Sequence, residues 1–301
     1  MVDTIELLRS VHKTSSFLTM TPAELTDVYD KSSNLITSGV AARKLDSSEI
    51  FSLYELHFNL SLLTSHDVEA SAILTTLTDR FGTESPRVAV LQALYIEATD
   101  SLAKALEYID SRPETETGAW KRRIAILKTT ASSASSAVNV QYVNELLKLV
   151  DHVPSDAEAW SELAQAYIEA GMYSQALFAL HEVLLLYPLA YNINALVGET
   201  TLKFAANLQA QGSAAPAEEK LIEATKFFLR AVELCEHYVR GWAGVLIGST
   251  RILQQSKSTV DLKLYKMIKD MAAKQLQEIV KSKDARPEDL AAAEILLKNY
   301  K

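Results

Sequence analysis

The residues of this chain that could do chemistry are six histidines, one cysteine and scattered carboxylates. His12, His57, His66, His152, His181 and His237 stand far apart, and only His181 begins a pattern, with Glu182 directly after it. In H-E-x-x-H two histidines one helical turn apart hold zinc while the glutamate acts as general base. Leu185 stands where the second histidine belongs, so the pattern fails. His181 and His237 are expected late in the second helix of a helix pair, where the helix end favours a partly charged imidazole with a structural role. Glu158 and Glu162, four apart, put two carboxylates on one helix face. Such a pair can serve acid–base chemistry, but at a helix N-terminus the dipole tolerates it as a solvated face. No Gly-rich phosphate loop, G-x-S-x-G or calcium loop occurs. Cys235, the one cysteine, excludes an intramolecular disulfide and a cysteine-based zinc site and is expected to pack as a small hydrophobe. The expectation is a protein that is not an enzyme and uses no cofactor or metal.

The elements that position these residues are helices. In Asp156–Ala190, Trp160, Leu163 and Tyr167 recur at i, i+3 and i+7 and share one helix face. Small Ala164 and Ala176 allow two helices to approach closely. Gly171 ends the first helix and Pro188 stops the second. With Tyr173 and Leu180, these offsets resemble the 34-residue tetratricopeptide repeat, a helix pair that must stack on its neighbours to bury its apolar face. Trp120 and Trp242 occupy the offset of Trp160, so all three tryptophans are expected in repeat packing. Trp120, Ile124 and Leu127 form the first helix of an upstream pair, followed by a Ser/Ala-rich loop at Thr129–Ala137 and by Tyr142, Leu146 and Leu149 before Pro154. Weaker pairs precede it, with Phe51, Tyr54 and Phe58 facing Ala70 and Leu74, and Val88, Leu91 and Tyr95 facing Leu102 and Leu106. Downstream, Val197 and Gly198 are expected to begin a helix that pairs with Ala224, Phe228 and Ala231 across a flexible loop at Gln209–Ala217. Helices are expected from Trp242 to Leu253, over Leu262–Val280 and over Pro287–Tyr300, with a polar break at Gln254–Thr259. At the other end Pro22–Gly39 is expected to be a capping helix.

Composition agrees with helices. Of 301 residues 48% are hydrophobic, and only 9 are Gly and 7 Pro. The net charge of −8 argues against nucleic acid, which needs clustered cations. Met1–Lys13 carries Asp3 and Glu6 with little apolar run, so no secretion signal is expected, and no stretch is apolar enough to span a bilayer. Against the acidic whole, Lys257, Lys263, Lys266, Lys269, Lys274, Lys281, Lys283 and Arg286 face only Asp261, Asp270, Glu278 and Asp284. That section reads as a solvated capping helix or as a face for anionic lipid or an acidic segment. Repeats that clamp a partner's C-terminal carboxylate do so with Lys, Asn and Arg on the inner helix. Glu158, Ser161, Glu162 and Gln165 stand there instead and cannot grip a carboxylate.

Ala157–Trp160 (AEAW), Glu162–Ala164 (ELA), Tyr167, Tyr173, Ala176 and Pro188 resemble the family of the second subunit of the endoplasmic reticulum membrane protein complex. RFGTESPRV at Arg80–Val88 and WKRRIAILK at Trp120–Lys128 extend the resemblance over roughly residues 51–254. Gly82 where a proline is common, Leu180, Val183 and the Gln209–Ala217 insertion depart from it. The resemblance implies a non-catalytic scaffold, peripheral on the cytoplasmic face of the endoplasmic reticulum membrane. It would hold cytosolic tails and loops of membrane-embedded subunits and so support insertion of tail-anchored and multi-pass proteins. The alternative is a soluble adaptor or co-chaperone in the cytosol. The expected fold is an all-α, right-handed solenoid of tetratricopeptide-like pairs. Residues 1–47 are expected as N-terminal capping helices, 48–254 as the repeat array with an insertion loop at 205–219, and 255–301 as a C-terminal helical cap. By repeat geometry a concave groove is expected to expose Lys121, Lys128, Glu158, Ser161, Gln165, Ile168, Asn192 and Glu199 to partner segments. Small molecules and nucleic acid are not expected as partners.

Overall fold

A computed structural model of the chain describes residues 2–113, 115–132, 140–255, 261–282 and 286–300. Among the described residues there are sixteen α-helices, one 3-10 turn and no strand. The fold is all-α and tetratricopeptide-like. The chain divides into two compact units, Met1–Ser133 and Ala134–Lys301.

The first unit contains α1 (Val2–Thr14), the 3-10 turn Ser16–Thr19, α2 (Pro22–Thr37), α3 (Val40–Lys44), α4 (Ser47–Leu63), α5 (Asp67–Phe81), α6 (Pro86–Thr99), α7 (Leu102–Asp110) and α8 (Thr117–Ser132). Two of these helices are started by capping boxes. Thr21 and Glu24 exchange side-chain-to-backbone bonds at α2, and Asp46 and Glu49 do so at α4. Pro22 and Pro86 sit in first turns, where a missing N–H costs nothing. The expected helix Pro22–Gly39 ends at Thr37, because Gly39 takes φ 65° and α3 begins after it. Three apolar clusters run through the unit. Leu8, Val28, Leu53 and Leu56 join α1, α2 and α4. Phe58, Leu74, Leu77 and Val88 join α4, α5 and α6. Ala93, Ala105, Ala119 and Ile126 join α6, α7 and α8.

The second unit contains α9 (Val140–His152), α10 (Ala157–Glu169), α11 (Tyr173–Leu186), α12 (Tyr191–Ala210), α13 (Ala214–Leu234), α14 (Val239–Gln255), α15 (Leu262–Ser282) and α16 (Pro287–Asn299). Asp156 starts α10 by accepting from the backbone N–H groups of Glu158 and Ala159. Gly171 takes φ 70° in the turn between α10 and α11, as the repeat phase requires. The tightest packing lies among α12, α13 and α14. The Phe228 ring, 1% exposed, fills a slot made by Gly198 and Gly244. A Cβ on Gly244 would stand 2.2 Å from Phe228 Cδ1, and one on Gly198 2.9 Å from Cζ.

Several local expectations are corrected. The stretch 205–219, expected as a loop, is helical except for a turn at Gln211–Ser213, with Gly212 at φ 80°. Alanine favours helix on both sides. Pro216 falls in the first turn of α13, where no intrahelical N–H is needed. Ala205 and Leu221 are buried with Ile252 and Tyr265, so the insertion lengthens a packed pair. Accordingly α12 begins at Tyr191 rather than Val197. His237 lies in the turn after α13 and not inside a helix, because α13 ends at Leu234. Thr129–Ser132 of the expected Ser/Ala loop continue α8, while 133–137 lie outside the described residues. Gln254 and Gln255 end α14. The rest of that expected break, with Lys257, Lys283 and Asp284, also lies outside the described residues.

Candidate functional site

The residues expected to meet a partner fall in both units. Lys121 and Lys128 lie on α8 of the first unit, Lys121 half-buried and Lys128 exposed. The other six lie in the second. Glu158, Ser161 and Gln165 recur at i, i+3 and i+7 and form one stripe along α10. Glu158 and Gln165 are exposed and Ser161 is half-buried. Gln165 Nε2 donates to Glu169 Oε1 at 2.8 Å, which extends the polar stripe by a turn. Ile168, next on the same face, is only 9% exposed and gives a partner little to touch. Asn192 is exposed in the first turn of α12. Glu199, two turns further on, is gripped by both arms of Arg240 on α14, with Nη2 2.5 Å from Oε2 and Nε on Oε1. That pair holds the Arg240 guanidinium above its usual pKa, against the opposing effect of burial. Arg240 escaped the sequence reading, because nothing local links two residues two helices apart.

The expected repeat-core residues sit as follows. Leu163, Ala164 and Ala176 are buried, and Trp242 is 7% exposed. Trp120, Trp160 and Tyr167 are half-buried, and Gly171 and Pro188 are exposed in turns. Two tryptophans do the same job. Trp160 Nε1 donates to the carbonyl of Pro154 at 2.9 Å, and Trp242 Nε1 to that of Glu236 at 2.6 Å, each six residues upstream. Each indole therefore packs against its pair and ties down the turn that leads into its own helix. Glu162, read with Glu158 as a possible carboxylate pair, accepts from Tyr142 OH at 2.9 Å and so joins α10 to α9. Burial first, and then this bond, push the Tyr142 phenol well above its usual pKa. At the end of α11 and in the turn after it, Leu185, Tyr187 and Leu189 present apolar surface that the repeat pattern does not require.

Among the described residues, a constellation of catalytic residue types lies in the first unit. Ser32 Oγ is 2.7 Å from His57 Nδ1, and His57 Nε2 is 2.9 Å from Glu69 Oε1. Tyr29 OH donates to the other oxygen of Glu69, and the Tyr29 ring stacks on His66 at 4.2 Å. Serine, imidazole and carboxylate in line can make a nucleophile. Here Ser32 is 0% and His57 1% exposed, and Ser32 Oγ also lies 2.8 Å from the Tyr29 carbonyl. The hydroxyl has no face toward a substrate, and the set works as a polar bolt through α2, α4 and α5, buried at Ser32 and His57 and reaching solvent at Glu69. Burial pushes the Glu69 carboxyl up, but the bonds from Tyr29 and His57 outweigh it and hold it below its usual value. Burial and the bond to Glu69 raise the Tyr29 phenol to about 12. No sequence pattern announced this set, since its members come from three different helices. Among the described residues no three His, Cys, Asp or Glu side chains gather as a metal ion would need.

Residues 64–228 match the EMC2 TPR-like repeat domain. The chain is 28% identical to "ER membrane protein complex subunit 2" of Saccharomyces cerevisiae, with 97% of each chain covered. It is 31% identical to "TPR repeat protein oca3" of Schizosaccharomyces pombe over 73% of each. With the subunit 2 protein of Xenopus tropicalis it shares 30% identity over 71% of this chain and 67% of that one. Among solved structures, the C-terminal part of a TPR repeat-containing protein from Cytophaga hutchinsonii superimposes with a TM-score of 0.52. That match has 13% identity, covers 95% of this chain and 98% of that one, and speaks for the fold alone.

Proposed function

The chain belongs to the family of ER membrane protein complex subunit 2, and from that premise we propose that it is a scaffold subunit of such a complex, acting by binding and not by catalysis. The observation that carries this is the similarity to the yeast subunit, which runs through nearly the whole length of both chains. A peripheral position on the cytoplasmic face is the reading that fits a chain in which no described helix is long and apolar enough to cross a membrane. Its partners are then cytosolic tails and loops of membrane-embedded subunits, and its role is to support insertion of tail-anchored and multi-pass proteins. The polar stripe Glu158–Ser161–Gln165 with Asn192 is the partner surface of the second unit, and Lys121 and Lys128 are that of the first. Glu199 contributes by fixing α12 to α14 through Arg240 more than by meeting a partner.

Affinity isolation of the tagged chain from detergent-solubilised membranes tests this reading. Stoichiometric recovery of several integral membrane proteins is the expected result. Recovery of the chain alone, or with soluble chaperones, overturns it in favour of a cytosolic adaptor. Combined charge reversal, Lys121→Glu with Glu158→Lys, is expected to reduce that recovery. Unaltered recovery would remove these residues from the partner surface. Glu199 is kept out of this variant, because reversing it also breaks the bond to Arg240.

A further inference from the structure

We propose that the outward face of α15 is a docking surface for an anionic phospholipid bilayer. The inward face of this helix is fully committed, with Tyr265, Ala272, Leu276 and Ile279 buried. On the other side Leu264, Met267 and Met271 recur at i, i+3 and i+7 and are 48%, 62% and 41% exposed. At 100° per residue, Lys263, Lys274 and Lys281 adjoin this stripe and are exposed. Asp270 lies beside them and Glu278 within the arc of the stripe, so the face keeps three lysines against two carboxylates. The helix carries five lysines against Asp270 and Glu278, in a chain whose net charge is −8. Of these five lysines, only Lys274 meets a carboxylate among the described residues, that of Glu278 at 3.8 Å.

Charge by itself would suit any anion. The apolar stripe narrows the choice. Phosphate groups have no use for leucine and methionine, whereas the boundary between head groups and acyl chains takes both halves at once. Apolar side chains sink into that boundary while lysines reach back to the lipid phosphates. A partner helix also packs on a stripe of this spacing, but the lysines that flank it favour an anionic plane. Each exposed lysine adds roughly fivefold to partitioning onto an anionic surface, and salt removes that gain. The inference rests on the proposed membrane-side position only in having a bilayer within reach, and pure vesicles test it with no other subunit present.

The full chain is mixed with phosphatidylcholine vesicles, with and without phosphatidylserine, and bound protein is sedimented at low and high salt. Binding to the phosphatidylserine vesicles that salt weakens is expected. Met267→Ser with Met271→Ser, and separately Lys263→Glu with Lys274→Glu, are each expected to lower it by about tenfold or more. Their thermal melts should match the parent, since these side chains lie outside the core. No binding to the anionic vesicles, equal binding to phosphatidylcholine alone, or binding that both variants retain would each overturn the proposal. A second readout does not depend on those variants. An environment-sensitive dye on Met267→Cys, in a Cys235→Ser background, should shift to the blue on anionic vesicles. An unshifted dye on vesicle-bound protein also overturns the proposal. Should isolation from membranes yield no complex while vesicle binding persists, the scaffold reading fails and this inference stands.

Discussion

Both units have apolar clusters and polar bonds between helices, Tyr142 to Glu162 and Arg240 to Glu199 in the second among them, but their most buried contacts differ in kind. In the second, the tightest point is apolar and involves bare backbone, with the Phe228 ring lodged against Gly198 and Gly244, and indole N–H groups closing two turns. In the first, polar side chains bolt the helices. His57 spans Ser32 and Glu69, and Arg112, 9% exposed, bonds Glu116 at 2.8 Å and the Glu84 carbonyl at 3.0 Å. Apolar contact is non-directional and tolerates small shifts. A buried polar bolt must satisfy every donor and acceptor or it costs stability. The second unit is therefore expected to fail through lost volume, and the first through lost partners or changed protonation.

The sharpest break should come at the ring slot. Phe228→Ala is expected to cost about 4 kcal/mol, the range for emptying a buried aromatic site. Gly244→Ala should cost about 3 kcal/mol by overpacking. In the double variant the new methyl fills part of the cavity, so urea unfolding should show a loss smaller than the sum of the two. A strictly additive loss would mean that ring and glycine do not share one space.

In the first unit His57→Ala should cost about 2 kcal/mol, because Ser32 and Glu69 lose a buried partner. Hydrogen exchange should rise in α2, α4 and α5 and stay unchanged in α12 to α14. A uniform rise would erase the contrast between the units. Trp160→Phe keeps the ring but loses the bond to the Pro154 carbonyl, and is expected to cost about 1 kcal/mol. An unchanged midpoint would make the indole N–H irrelevant to the turn.

The smallest effect expected is on pH dependence, and it should separate the units by sign and place. Glu69 has a folded pKa below its ordinary 4.5, so it stabilises the first unit above that value and loses this as pH falls through the depressed one. Tyr29, raised from 10.0 to about 12, stabilises the unit below pH 10 and loses this as pH climbs between those values. Trp120 lies in the first unit and the other two tryptophans in the second. In a Trp160→Phe, Trp242→Phe variant, fluorescence of Trp120 should report loosening at both extremes. In a Trp120→Phe variant the remaining tryptophans should lag behind at the acid extreme, whereas at the alkaline one they should follow, because burial raises the Tyr142, Tyr238 and Tyr265 phenols of the second unit as well. Coincident acid transitions would mean that the bolt does not set the acid limit.

The helix pairs were legible where a spacing repeats. Trp160, Leu163, Tyr167, Gly171 and Ala176 each answer to a local rule of face, close approach or turn, and the helix ends follow from residues such as Asp156 and Gly171. The family resemblance read from those residues is matched by the relatives of the chain. Composition misled at Gln209–Ala217, because glycine, serine and proline signal a loop only when their place in a helix is ignored. Gly212 is the turn itself and Pro216 sits in a first turn, so two long helices needed no loop.

Sequence by itself determined an all-α chain of paired helices, the phase of the clearest pair and the shared offset of its tryptophans, because these depend on contacts one or two turns apart. Tertiary structure alone decided that Glu199 belongs to Arg240, that Ile168 turns inward, that Gly198 and Gly244 enclose Phe228, and that His57 meets Ser32 and Glu69. Apart from Ile168, those contacts join residues on different helices. Their geometry is set by how the pairs pack, and no local spacing encodes it.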